Sequence, residues 1–175
     1  SPAGIAMDVN KGPLEKAQEH IREEKLGGKI ATRLGNGLAP LEPGETDTVI
    51  IAGMGGDLIC KILKAKPEFL IEGKEFILQP QSEWFKIRRL LKEYHYQIEK
   101  EWFLKEDGKY YVIIKAEPAW TQPQRLKHQE PSIHEYIKEI SEIPVNQAVS
   151  EKDMESIYEQ YGKYLIETKN PVLKE

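Results

Sequence analysis

The chain alternates short apolar runs with amphipathic stretches. "GIAMDVN", Gly4 to Asn10, is an apolar run ending in an acid and an amide, the pattern of a buried strand with a polar tip. Leu14, Ala17 and Ile21 then recur at helical spacing, with Asn10 placed as N-cap, Pro13 in the first turn and Gly27-Gly28 closing the element. "KIATRLGNGL" predicts a strand through about Arg33 and a Gly-Asn-Gly turn, and "DTVIIAG" is the most uniformly apolar strand in the chain. "GGDLICKILKAK" predicts a helix on Leu58, Ile59, Ile62 and Leu63, closed before Pro67. "EFILQP" predicts a buried strand stopped by Pro80, whose missing N–H cannot sit inside a parallel ladder. Ser82 is placed to cap a helix with the stripe Trp84, Ile87, Leu90, Leu91 and Tyr94, and with Lys86, Arg88, Arg89 and Lys92 on its other faces. Two alternating runs around Asp107-Gly108 carry the strongest hairpin signal in the sequence.

Repeated strand–helix alternation that ends in a hairpin predicts an α/β fold, a mostly parallel sheet with an antiparallel edge. Beyond Pro118 the texture changes. "AWTQPQRLKHQEPS" reads as a linker, and two amphipathic helical patterns follow, one on Ile133, Ile137 and Ile140, the other on Met154, Ile157, Tyr158, Tyr161 and Leu165. The expected division is an α/β domain over residues 1–118 and a linker with helical appendage over 119–175.

The composition of this 175-residue chain narrows the chemistry. Apolar residues at 39% and charged residues at 31% match a soluble domain, and no apolar run approaches the roughly 18 residues of a membrane helix. The Ser1-Pro2-Ala3-Gly4 opening lacks the features of a signal peptide, so a cytoplasmic setting without membrane contact is expected. Cys60 is the single cysteine, which excludes an internal disulfide, a Cys-x-x-Cys pair and a cysteine zinc cluster. The four histidines show no ligand spacing, so no metal is expected. A formal charge of −4 gives no global pull towards nucleic acid, although a local basic face still binds phosphates.

In parallel α/β sheets ligands bind outside the carboxyl ends of the strands. That rule selects "MDVN", "GNG", "GMGG" and "LQPQ". Asp8 carries two acceptor oxygens matched to a pair of ribose hydroxyls, with helix capping as the competing reading. Asn36 has a donor and an acceptor for an adenine edge, or serves only a tight turn. The run from Gly53 to Gly56 matches neither a dinucleotide fingerprint nor a P-loop, and Asp57 at the helix start disfavours phosphate. Its glycines permit close approach of a flat ligand, and Met54 offers a flexible apolar surface. Gln79 and Gln81 place two amides around Pro80. No nucleophile–base arrangement appears among these tips, which fits a reaction that needs positioning more than acid–base power.

Taken together, "MDVNKGPLEKA", "RLGNGL", "DTVIIAGMGG", "ILQPQ" and "EDGKYYVIIKAE" resemble the bacterial family of tRNA adenine-N1 methyltransferases that modify adenine 22. The likeness covers most of Gly4 to Glu117, and the tail "YGKYLIETKNPVL" resembles the segment leading into that family's C-terminal arm. The resemblance implies a Rossmann-like class I methyltransferase that uses S-adenosylmethionine, releases S-adenosylhomocysteine and acts on tRNA without a metal. It implies cofactor contacts from Asp8, Val9, Asn10, Asn36, Gly37, Ala52, Gly53 and Met54. It also implies a catalytic floor of Gly53, Met54 and Gly55, with Gln79, Pro80 and Gln81 flanking the target pocket. For RNA the best candidates are Lys86, Arg88, Arg89 and Lys92, with Arg125, Lys127 and His128 in the linker.

The family's first strand and its glycine-rich loop have no counterpart in these residues. The resemblance therefore leaves the strands ending at Asp8 and Ala52 each with an open edge, and implies weak cofactor binding by the chain alone. A non-catalytic RNA- or protein-binding module on the same fold, or a methyltransferase with another acceptor, are the alternatives.

Overall fold

A computed structural model describes residues 3–121 and Gly162. The first three residues of the expected linker, Ala119–Thr121, form a 3-10 turn; the rest of it, the two helical patterns after it, and Arg125, Lys127 and His128 lie outside the described residues. The chain divides into two compact units, one built from the residues up to Thr46 with Lys61–Glu72, the other from Asp47–Cys60 with the chain from Gly73 onward.

The first unit opens with strand β1 (Gly4–Asp8), helix α1 (Lys11–Glu23) and strand β2 (Ile30–Leu34). The strands pair in parallel from Gly4↔Ile30 to Asp8↔Leu34, which sets the tips at Asp8 and Leu34 side by side. Helix α1 ends at Glu23, before the glycines expected to close it. Lys25 takes a left-handed φ of 55°, and the Leu26 N–H reaches back to the Ile21 carbonyl at 2.8 Å. That reversal is a Schellman closure made without glycine. The unit also holds a short helix absent from the sequence reading, α3 (Pro67–Ile71), which starts on Pro67 and buries Phe69 and Leu70.

The second unit is a four-stranded sheet in the order β3-β4-β6-β5. Strand β3 (Thr48–Met54) pairs in parallel with β4 (Glu75–Pro80), β6 (Lys109–Pro118) runs antiparallel to β4, and β5 (Tyr96–Glu106) runs antiparallel to β6. Asp107 and Gly108 turn the hairpin with φ of 48° and 73°, the double left-handed geometry that an Asp-Gly pair favours. Helix α2 (Gly56–Lys64) follows β3, and helix α4 (Trp84–Glu93) follows β4. Phe76, Leu78, Ile87, Leu91, Val112, Ile114 and Ala116 are fully buried in this unit.

The Rossmann-like α/β class is therefore observed, parallel within each sheet and antiparallel at the β4–β6–β5 edge. Among the described residues β1 has only β2 as a strand neighbour, and β3 has only β4. These are the two strands for which an open edge is expected. Despite its uniformly apolar sequence, β3 buries one face and leaves Ile50 67% exposed. No described helix is long and apolar enough to cross a membrane.

Candidate functional site

In the first unit the tips of β1 and β2 are stitched together by the Gly35 N–H, which donates to the Asp8 carbonyl at 3.0 Å. The Asp8 carboxylate accepts the Asn10 N–H through Oδ1 at 2.7 Å. Asn10 stands at the N-cap position of α1 with extended backbone, but its side chain makes no capping bond. The turn between strand and helix is thus held by the acid rather than by the amide. One lone pair of the roughly four on that carboxylate is used in this way. Val9 beside it is 60% exposed, and Asn36 is exposed. Gly37 has a φ of 55°, and a Cβ there would press on the Ile62 side chain at 2.8 Å, so the turn after β2 requires glycine on two counts.

The second unit brings the other tips together. Gly53 takes a φ of 77° with open space beside its α-carbon, and its N–H donates to Gln79 Oε1 at 2.8 Å. The Gln81 N–H donates to the Met54 carbonyl at 2.9 Å, so the two loops clasp each other on either side of Pro80. Gln79 Nε2 is buried and has no hydrogen-bond partner among the described residues, a donor left for something else.

Beyond the clasp, helix α2 starts against the Ser82-Glu83 turn. The Gly56 N–H donates to the Ser82 carbonyl at 2.9 Å, and the Asp57 N–H to Glu83 Oε2 at 3.2 Å. A Cβ on Gly56 would come within 2.6 Å of the Glu83 carbonyl oxygen, which explains glycine at that position. A phosphate cradle is built from such N–H groups at a helix start. Here they are already donated, so the glycine run works as a seam between two loops.

Three sequence expectations need correction on this side of the molecule. Glu83, not Ser82, occupies the N-cap position of α4, in a left-handed conformation with φ of 54°. Sequence reasoning missed Glu83 because its role is to meet the start of α2, a contact between elements. Lys86 does not stand alone on an outer face: it bridges Asp57 at 2.9 Å and Glu83 at 2.5 Å. The Glu83 carboxyl is pulled below the usual carboxylate range, first by its hydrogen bond from Lys86, and the Lys86 ammonium is raised, first by Glu83 and then by Asp57. Arg88, expected on a solvated face, is buried, and its Nε donates to Glu101 Oε1 on β5 at 2.8 Å. Arg89 and Lys92 remain exposed.

Glu75, Glu99 and Glu117 form the one described group of carboxylates close enough to share a metal ion. Lys115 Nζ sits among them at 2.9, 2.6 and 3.1 Å, and the cluster is explained as an ion-pair network around that lysine.

Comparison with known proteins identifies a family for the chain. A family model, tRNA (adenine(22)-N(1))-methyltransferase, matches residues 1–174. A curated Bacillus subtilis tRNA (adenine(22)-N(1))-methyltransferase is 38% identical over 113 residues, which are 65% of this chain and 48% of that protein. The chain thus spans about half the length of this relative. Among solved structures, a Mycoplasma capricolum enzyme of the same family, in complex with its cofactor product S-adenosylhomocysteine, superposes with a TM-score of 0.58 at 30% identity, covering 65% of this chain and 50% of that one. A Streptococcus agalactiae protein of the NADB-Rossmann superfamily superposes with a TM-score of 0.70 at 27% identity, covering 96% of this chain and 60% of that one.

Proposed function

The chain belongs to the tRNA (adenine(22)-N(1))-methyltransferase family, and on that premise we propose that the protein methylates N1 of an adenine in tRNA, at position 22, with S-adenosylmethionine as methyl donor. The observation that carries this reading is the family match over residues 1–174, which takes in every strand tip described above. It acts in the cytoplasm, where its tRNA substrate resides. Residues 1–118 are the methyltransferase portion, and 119–175 follow it as a separate region.

The residues present fit the cofactor. S-Adenosylmethionine carries no phosphate, and the N–H groups that would hold one are already donated to Ser82 and Glu83. It does carry two ribose hydroxyls and an adenine, for which the Asp8 carboxylate and the exposed Asn36 amide are the matching partners, with Val9, Asn10 and Gly37 beside them. When bound, the cofactor supplies an already activated methyl group on a sulfonium.

The protein's own task is then geometric. Adenine N1 holds a lone pair in the ring plane and needs no base to remove a proton before it attacks. Ala52, Gly53, Met54 and Gly55 form the floor on which the two reactants are aligned, and the open space beside Gly53 admits a flat ring without side-chain interference. Gln79 holds that floor through the Gly53 N–H, and its buried Nε2, without a partner among the described residues, is a donor available to an acceptor atom of a bound group. Pro80 and Gln81 border the pocket. Of the basic residues on α4, Arg89 and Lys92 are those that face RNA phosphates, while Arg88 and Lys86 hold the fold.

The test is transfer of labelled methyl groups from S-adenosylmethionine to an unmodified tRNA transcript. Incorporation that falls at least 10-fold in an Asp8→Ala variant supports the reading. Absence of incorporation by the whole protein overturns it in favour of a non-catalytic module.

A further inference from the structure

A row of aromatic rings leads away from the Gln79–Gln81 tip, and nothing in the catalytic reading uses it. It begins at Trp84, whose indole N–H donates to the Pro80 carbonyl at 3.1 Å and so ties the first ring to the strand tip. Phe103 meets Trp84 edge-on, with centroids 5.7 Å apart and planes at 68°, and Tyr110 stacks on Phe103 at 5.5 Å and 29°. Lys105 Nζ lies 5.2 Å from the centre of the Tyr110 ring. Apart from this row, Phe85, the residue after Trp84 on α4, carries the guanidinium of Arg89, one turn further along the helix, at 5.9 Å.

The register explains how the row is built. Lys105 pairs with Tyr110 and Phe103 with Val112, so Phe103, Lys105 and Tyr110 share one face of the hairpin, the face on which Phe103 meets Trp84 of α4. The inner rings are half-buried, whereas Tyr110 is 42% and Phe85 38% exposed. The row ends at the exposed Tyr110 beside Lys105, and on α4 the exposed Phe85 stands beside Arg89.

We propose that Trp84, Phe103, Tyr110 and Phe85 form a stacking platform for unpaired RNA nucleotides next to the target adenine. The proposal rests on the pocket assigned above. N1 lies on the pairing edge of adenine, so an in-line approach requires the base to leave its pair and its stack. Its neighbours then lose a stacking face. Aromatic rings next to the pocket restore that face for any base, because stacking does not depend on base identity. The cations beside Tyr110 and Phe85 match a polyanion, and this charge complementarity favours RNA over an apolar peptide.

Equilibrium binding of fluorescent unmodified tRNA to the whole protein tests this without requiring turnover. Tyr110→Ala and Phe85→Ala are each expected to weaken binding roughly five-fold or more while leaving its salt dependence unchanged, because stacking releases no counterions. Tyr110→Trp is expected to retain wild-type affinity. Leu104→Ala, an exposed apolar change on the opposite face of the same hairpin, is expected to have no effect. Wild-type affinity in both alanine variants, or an equal loss in Leu104→Ala, overturns the platform. If tRNA binds and responds as expected but no methyl is transferred, the proposed reaction fails and the platform stands.

Discussion

Arg88 on α4 and Glu101 on β5 form a buried ion pair, Nε to Oε1 at 2.8 Å, with side chains 4% and 0% exposed. Removing one partner takes a hydrogen-bonded countercharge away from the other inside the core, so Arg88→Ala is expected to cost about 3–5 kcal/mol in stability. The double change Arg88→Met with Glu101→Leu is expected to recover most of it. Urea unfolding of both variants measures the difference. Gly162 covers the pair with φ of 87°, and a Cβ there would overlap Glu101 Oε2 and approach Arg88 Nη2 at 2.7 Å, so Gly162→Ala belongs to the same destabilising set.

Two glycine-to-alanine changes should have opposite signs. Gly56 has Ser82 and Glu83 carbonyl oxygens at 2.7 and 2.6 Å from its would-be Cβ, whereas Gly12 in α1 has nothing within 4 Å. Gly56→Ala must push the two loops apart and is expected to lower stability by about 1–3 kcal/mol, in the range of other overpacking changes. Gly12→Ala is expected to raise it by up to about 1 kcal/mol through helix propensity. Thermal melts of the two variants against wild type check the signs.

The clasp at Gln79 separates holding the loop from contacting the ligand. Gln79→Glu keeps an acceptor for the Gly53 N–H but removes the buried amide donor and adds a charge, and is expected to lower methyl transfer at least 10-fold. Gln79→Leu removes both functions and is expected in addition to weaken cofactor binding. Calorimetric titration with S-adenosylhomocysteine alongside turnover resolves the two effects.

Acid should weaken the first unit through Arg33 and Glu45. Two hydrogen bonds from the guanidinium, and then the Glu42 N–H, pull the Glu45 carboxyl from 4.5 to about 2. A carboxylate with a depressed folded-state pKa contributes stability that is complete above pH 4.5 and is lost as pH falls towards 2. Glu45→Gln is therefore expected to show a smaller loss of stability between those two values, seen by circular dichroism during acid titration. Equal losses in variant and wild type would contradict the assignment.

Elements whose signal is local were legible in the sequence. The Asp107-Gly108 hairpin, the strand ending at Asp8 and the helix after the glycine run follow from patterns within a dozen residues, and they fall where expected. What escaped depends on partners far along the chain. Arg88 borders the stripe of Ile87 and Leu91, and a carboxylate on the next strand, Glu101, receives it inside the core. Ser82 is the better capping residue by type, yet the turn delivers its carbonyl to Gly56 and passes the N-cap position to Glu83. Helix α3 escaped because Pro67 was read as an ending when it stands at a helix start. At the site, residue identities at the tips were readable, but the Gly53–Gln79 and Met54–Gln81 bonds that join them were not, since each spans 26 or more residues.

The position of the product methyl group tests the central claim most directly. The whole protein is incubated with S-adenosylmethionine and two tRNA transcripts that differ only in adenine or guanine at position 22, and each is digested and mapped by mass spectrometry. The account predicts N1-methyladenosine at position 22 of the first transcript and no methylation of the second. A methyl group at another atom or position, or equal modification of both transcripts, would contradict it.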